Sequence, residues 1–141
     1  MAANTNPISP IAPATAWPSA PLLTGNTALD GTGTLGSTVA AVFTAGTNGA
    51  KVNRIRVVHL GTNVATVLRV FLNNGSVNTV AANNILVSEI TVASNSLSQV
   101  AASTFYDIPM NFVMMPGHRI LYTIGTTVAA GHAVTADVGN Y

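Results

Sequence analysis

The sequence predicts an all-β protein: a single β-sandwich, jelly-roll-like, preceded by an extended Pro-rich N-terminal arm. Three observations carry that expectation. Apolar side chains alternate with a period of two through Val52–Leu60, Val64–Leu72, Ile85–Val92 and Arg119–Gly125. That is the spacing of a strand with one buried face, and no segment shows the 3.6-residue period of a helix. Gly, Asn, Asp and Thr collect between these runs and supply turns. Roughly seven or eight short strands separated by such turns suit two packed sheets. At 141 residues the chain has the length of one domain, and the reading divides it into an arm, 1–23, and a sandwich, 24–141.

Residues 1–23 carry no charged side chain and hold five of the seven prolines. Pro7, Pro10 and Pro13 recur every third residue, the repeat of a polyproline II ribbon, which makes no internal hydrogen bonds. Such a segment forms neither a helix nor a central strand. Ile8, Ile11, Trp17, Leu22 and Leu23 are apolar anchors within it, each gaining about 1.5–3 kcal/mol on burial. Ordering backbone costs about 1–2 kcal/mol per residue. The expectation is therefore order around Trp17–Leu23, with the earlier residues ordered only against a partner. Pro7, Ile8, Pro10, Ile11, Pro13, Trp17, Leu22 and Leu23 are the candidate partner contacts.

The segment 24–36 is loop, with a turn at Asp30-Gly31. Thr38–Thr44 reads as a short strand, and Ala45–Gly49 as a connection closing a hairpin onto the strand that begins at Lys51. Lys51–Gly75 reads as two strands joined at Gly61-Thr62-Asn63, and it holds four of the five basic residues, Lys51, Arg54, Arg56 and Arg69. In the first strand Ile55 and Val57 share a face with Asn53 and His59, opposite Arg54, Arg56, Val58 and Leu60. In the second, Val64, Thr66, Leu68, Val70 and Leu72 oppose Ala65, Val67, Arg69 and Phe71. Ile85–Val92 is the next strand, and 94–104 a long polar connection. Phe105–Pro109 and Asn111–Met115 are two extended pieces, Pro109 favouring an edge or bulge. Pro116-Gly117 is a turn; Arg119–Gly125 and Ala130–Val138 are the last strands. The phrase at Gly36–Ala41 recurs at Gly61–Thr66 and Gly125–Ala130, one turn-into-strand solution used three times rather than a solenoid repeat.

Only 6% of residues are charged and 48% are apolar, with a net charge of +1. An ordinary domain has about 25% charged residues. A surface of Thr, Asn, Ser and Gly loses little solvation when another protein covers it, so the composition suits a subunit packed against neighbours. It argues against electrostatic binding to nucleic acid or membrane, and the basic residues lack the number and aromatic interleaving of a nucleic-acid site. There is no cysteine, hence no disulfide or thiolate chemistry. No apolar run reaches the length of a membrane helix, and no basic-then-apolar start resembles a signal peptide.

Catalysis is not expected. His59, His118 and His132 have no neighbours at metal-ligand spacing, and no nucleophile-elbow, zinc-protease or phosphate-loop pattern occurs. No catalytic, cofactor or metal residue is assigned. Arg69 and Glu89 are expected to pair across neighbouring strands as a structural ion pair.

GTNVATVLRVFLNNG at Gly61–Gly75 resembles the signature of a family of small tailed-bacteriophage virion proteins. ALDGTG at Ala28–Gly33 and FTAGTNGAKVNRIRV at Phe43–Val57 fit the same pattern. So do Glu89, MPGHRILYTIG at Met115–Gly125 and AAGHAV at Ala129–Val134. The resemblance spans about residues 22–141 and leaves the arm outside. It implies a virion structural protein of the head decoration, or cement, type, made in the host cytoplasm and placed on the capsid exterior. Its partners would be the major capsid protein and further copies of itself, a trimer ahead of a dimer, and no cofactor. The resemblance serves a tail, fibre or baseplate protein as well. A non-viral β-sandwich binding module, for glycans for example, is the third reading.

Overall fold

The computed structural model describes residues 10–141, so Pro7 and Ile8 of the expected arm lie outside the described residues. The elements are β1 (Ala12–Ala16), β2 (Ala40–Thr44), β3 (Ala50–His59), β4 (Thr66–Asn73), a single 3-10 turn (Ala81–Asn83), β5 (Asn84–Val92), β6 (Phe105–Met114), β7 (Arg119–Ile124) and β8 (His132–Asn140). They form two four-stranded sheets, ordered β1-β8-β3-β6 and β2-β7-β4-β5, and every strand pair is antiparallel. The protein is all-β, as the alternation predicts.

The alternating positions meet in one core. Val52, Ile55 and Val57 of β3 and Val134, Ala136 and Val138 of β8 pack in the same cluster as Leu68 and Val70 of β4 and Ile120, Tyr122 and Ile124 of β7. The opposite face of β4 and β7 builds a second, smaller cluster from Val39, Phe71 and Leu121. The 24–36 loop lies over it. Gly31, at φ 73°, passes so close that a Cβ there would sit 2.9 Å from the Phe71 ring. Phe71 is therefore fully buried although it shares a strand face with Arg69.

Three expectations are corrected. Ala45–Gly49 closes no hairpin: β2 pairs with β7 in one sheet, while β3 pairs with β6 and β8 in the other. The backbone of Ala45 bonds the β6–β7 turn instead, through Ala45 N–H to the His118 carbonyl (2.9 Å) and Gly117 N–H to the Ala45 carbonyl (3.1 Å). Packed sheets lie about 10 Å apart, which a five-residue link spans. The Gly61-Thr62-Asn63 connection likewise carries the chain between sheets, from β3 to β4. The two extended pieces around Met110 are one strand, β6. Asn111, at φ 50°, and a register shift opposite Val52–Arg54 absorb the irregularity next to Pro109.

The third correction concerns the arm. Ala12–Ala16 does not wait for a partner: it pairs with β8, from Ala12 opposite Asn140 to Ala16 opposite Ala136. Pro13 is tolerated because half of the N–H groups of an edge strand face away from the sheet. Gly139 makes room, since a side chain there would collide with Pro10. After an exposed stretch the chain locks at Leu22, whose N–H donates to the Tyr122 hydroxyl at 3.1 Å and whose side chain is 2% exposed.

Candidate functional site

The salt-bridged residues fall into two groups on outward strand faces. On the first sheet, Arg56 grips Asp107 with both prongs, Nε to Oδ1 at 2.7 Å and Nη2 to Oδ2 at 2.8 Å. Arg54 bonds Asp137 at 2.7 Å and reaches Asp107 at 3.5 Å. The Arg56 guanidinium also lies 4.6 Å over the Phe105 ring. Hydrogen bonding to Arg56 holds the Asp107 carboxyl below its ordinary range. The group is neutral overall, two cations against two anions, and the carboxylates come from β6 and β8. On the second sheet Arg69 and Glu89 are direct cross-strand partners, with Nε donating to Oε2 at 2.7 Å. The arginine is the better covered of the two, its side chain 13% exposed against 48% for the glutamate.

The expected arm contacts separate into two kinds. Leu22 is core. Ile11 and Trp17 are each 67% exposed and Leu23 is 44% exposed. Pro13 lies within the β1–β8 pairing, opposite Gly139, and Pro10 just before it. Elsewhere Ile85, Leu86 and Val87 present three consecutive exposed apolar side chains on β5, an edge strand, and Val113 and Met115 are exposed on either side of the buried Met114 at the end of β6.

The interior holds one arrangement that the sequence does not announce. His59 closes β3 and His132 opens β8, directly opposite each other. The next pair outward is hydrogen-bonded, Leu60 N–H to the Gly131 carbonyl at 3.2 Å. Hydrogen-bonded and non-bonded pairs alternate, so the histidines occupy a non-bonded pair, where cross-strand side chains stand closest. Their ring centres are 5.1 Å apart at 54°, and Tyr106 meets the His59 ring edge-on at 6.2 Å. His59 is 8% exposed and His132 1%. His59 Nδ1 and both His132 nitrogens have no hydrogen-bond partner among the described residues. Burial pushes both imidazoles down; for His132, burial together with the charge of His59 lowers it to about 4. Both rings are therefore neutral at pH 7. A groove of about 240 Å³ opens beside them, lined by Trp17, Pro18, Pro21, Leu60, His132 and Val134 among others. The inward placement of His59 is visible in the alternation of β3; its pairing with His132 depends on a contact distant in sequence.

Among the described residues no cluster of three or more His, Asp or Glu gathers as a metal cage, and no helix is long and apolar enough to cross a membrane. The chain matches no family model, no curated protein and no solved structure.

Proposed function

We propose that this chain is a non-enzymatic structural protein of a tailed-phage virion, a decoration or cement protein. In this reading it assembles as a homo-oligomer, three-fold ahead of two-fold, and ties major capsid subunits together from outside the shell. The observation that carries the reading is β1. It is an edge strand, four of its five residues exposed, held to β8 by main-chain pairing. The Trp17–Pro21 segment, exposed except at the half-buried Pro18, joins it to the buried anchor Leu22. Main-chain pairing asks only for an extended partner, so the same strand suits a neighbour's sheet edge at little loss. Several such strands on one oligomer would hold by avidity. The near-absence of charge and the exposed apolar residues of β5 support a surface made to be covered.

We also assign the domain to the jelly-roll class. The support is the strand order: two four-stranded sheets, β1-β8-β3-β6 and β2-β7-β4-β5, with the chain passing between them at every connection except β4–β5. That is the eight-stranded, double Greek-key pattern.

Cryo-EM of particles carrying this chain tests the reading. Regular copies over the icosahedral shell are the expected result; density on the tail would replace it with a tail, fibre or baseplate role, and density on no particle would overturn it. The arm is tested by deleting 1–16. Deleting 1–23 would also remove Leu22 from the core. A variant lacking 1–16 that occupies the shell as fully as wild type would rule out β1 as the tether.

A further inference from the structure

We propose that His59 and His132 form a two-imidazole site for a divalent transition-metal ion of the zinc or copper type. The site stands independently of the virion reading.

Three observations converge on it. The two residues face each other at a non-hydrogen-bonded cross-strand pair, the register that brings two side chains closest. With metal–nitrogen bonds of about 2.0–2.1 Å and a near-tetrahedral angle, two imidazole centres on one ion lie about 5 Å apart. Here they lie 5.1 Å apart. Three of the four ring nitrogens are buried without a hydrogen-bond partner among the described residues, and an orphaned buried polar atom costs about 1–3 kcal/mol.

The surroundings define which ion fits. Among the described residues no carboxylate or thiolate joins the two rings in a metal-binding group, which removes the hard oxygen donors that calcium and magnesium require and the sulfur cage of a structural zinc finger. Imidazole nitrogen favours zinc, copper and nickel. Two protein ligands leave the remaining positions to water or to a small donor ligand. His132 lines a groove walled by Trp17, Pro18 and Pro21, the side from which such ligands would come. The Tyr106 hydroxyl is engaged elsewhere, accepting the Ala93 N–H at 2.9 Å, so it is not counted as a ligand.

The experiment uses the full-length chain, stripped with chelator and titrated with Cu²⁺ by electron paramagnetic resonance and with Zn²⁺ by calorimetry. Four proteins are compared: wild type, His59→Gln, His132→Gln and His118→Gln. His118 lies in the β6–β7 turn, apart from the pair. Wild type and His118→Gln are expected to bind one ion per chain, with two coupled nitrogens in the copper spectrum. Loss of either paired histidine is expected to weaken binding at least about tenfold and to leave one coupled nitrogen. Wild-type binding no tighter than that of His59→Gln would overturn the proposal, as would two-nitrogen coupling that survives in that variant. His59 is the more accessible ring, so His59→Gln carries the test if His132→Gln fails to fold.

Discussion

Asn63 holds Gly131 by both of its backbone groups: its amide donates to the Gly131 carbonyl at 2.7 Å and its Oδ1 accepts the Gly131 N–H at 3.1 Å. The same oxygen accepts the Ala130 N–H at 2.8 Å, and the residue is 3% exposed. One side chain in the β3–β4 connection thus fixes the entry to β8. In a chain this poor in charge, a neutral amide does the joining that an ion pair does elsewhere.

Asn63→Ala strips the Ala130 and Gly131 N–H groups of their partner, while the Gly131 carbonyl keeps the Leu60 N–H. At about 1–3 kcal/mol per buried orphan, and with some relaxation of the loop, the expected loss is about 2–4 kcal/mol. Urea denaturation followed by circular dichroism measures it. A loss below about 1 kcal/mol would mean that the loop finds other partners.

Acid should weaken the fold through the histidine pair. His132 has a native pKa lowered to about 4, against about 6.5 unfolded. The unfolded chain therefore binds the proton first. The stability due to the neutral ring is complete above pH 6.5, declines as pH falls toward 4, and levels off below that. At 1.36 kcal/mol per unit the decline amounts to about 3 kcal/mol. Unfolding measured between pH 7 and 4 with chelator present should show this slope in wild type and a flatter profile in His132→Gln.

The Arg69–Glu89 pair is asymmetric, with the guanidinium covered and the carboxylate half in water. Glu89→Leu leaves a largely buried cation without its counter-ion and is expected to cost about 1–2 kcal/mol. Arg69→Met with Glu89→Leu should recover most of that, because a covered ion pair gains little over an apolar one. A double-mutant cycle in urea, with Arg69→Met as the second single variant, decides it; a double-variant loss equal to the sum of the two single losses would show that the charge pairing contributes nothing.

Trp17 is the only tryptophan and is 67% exposed. Its emission in the isolated subunit should be that of a solvated indole. If the segment after β1 lies against a partner, the emission moves to shorter wavelength and quenching by iodide falls when the subunit assembles. An unshifted, fully quenchable signal on assembled particles would place Trp17 outside every contact.

What could be read from the sequence was mostly local. The alternation of β3 from Arg54 onward, of β4 at Leu68 and Val70 and of β7 assigns their core faces correctly, because one buried face imposes that period on the sequence directly; before Arg54 the register shift turns Asn53 outward and Val52 into the core, against the reading. Glu89 could be set against Arg69 because β4 and β5 are consecutive strands of the same sheet. What escaped was either distant or ambiguous. Asp107 and Asp137 reach Arg54 and Arg56 only because β6 and β8 flank β3, and the same topology brings His132 to His59. For β1, proline spacing did not discriminate: a fixed φ near −65° suits a polyproline ribbon and is admitted in an edge strand. The hairpin expected at Ala45–Gly49 failed because a short turn-rich link serves equally to fold a strand back or to carry it across to the facing sheet.

That crossing has a kinetic consequence. Six of the seven connections between the described strands pass from one sheet to the other. β4–β5 is the pair that can zip from its own turn; β8 cannot find β3 until nearly the whole chain has been made. Chains whose contacts span such distances fold in milliseconds to seconds rather than microseconds. The edges of β4 and β5 then stand open while the first sheet is still incomplete, a period in which the apolar β5 could pair with the wrong chain. The steps that make folding slow also make escape slow, since no strand of the first sheet except β1 can leave without breaking pairs on both sides or uncovering the core. Such a domain is suited to persisting after synthesis has stopped and no replacement subunit is at hand.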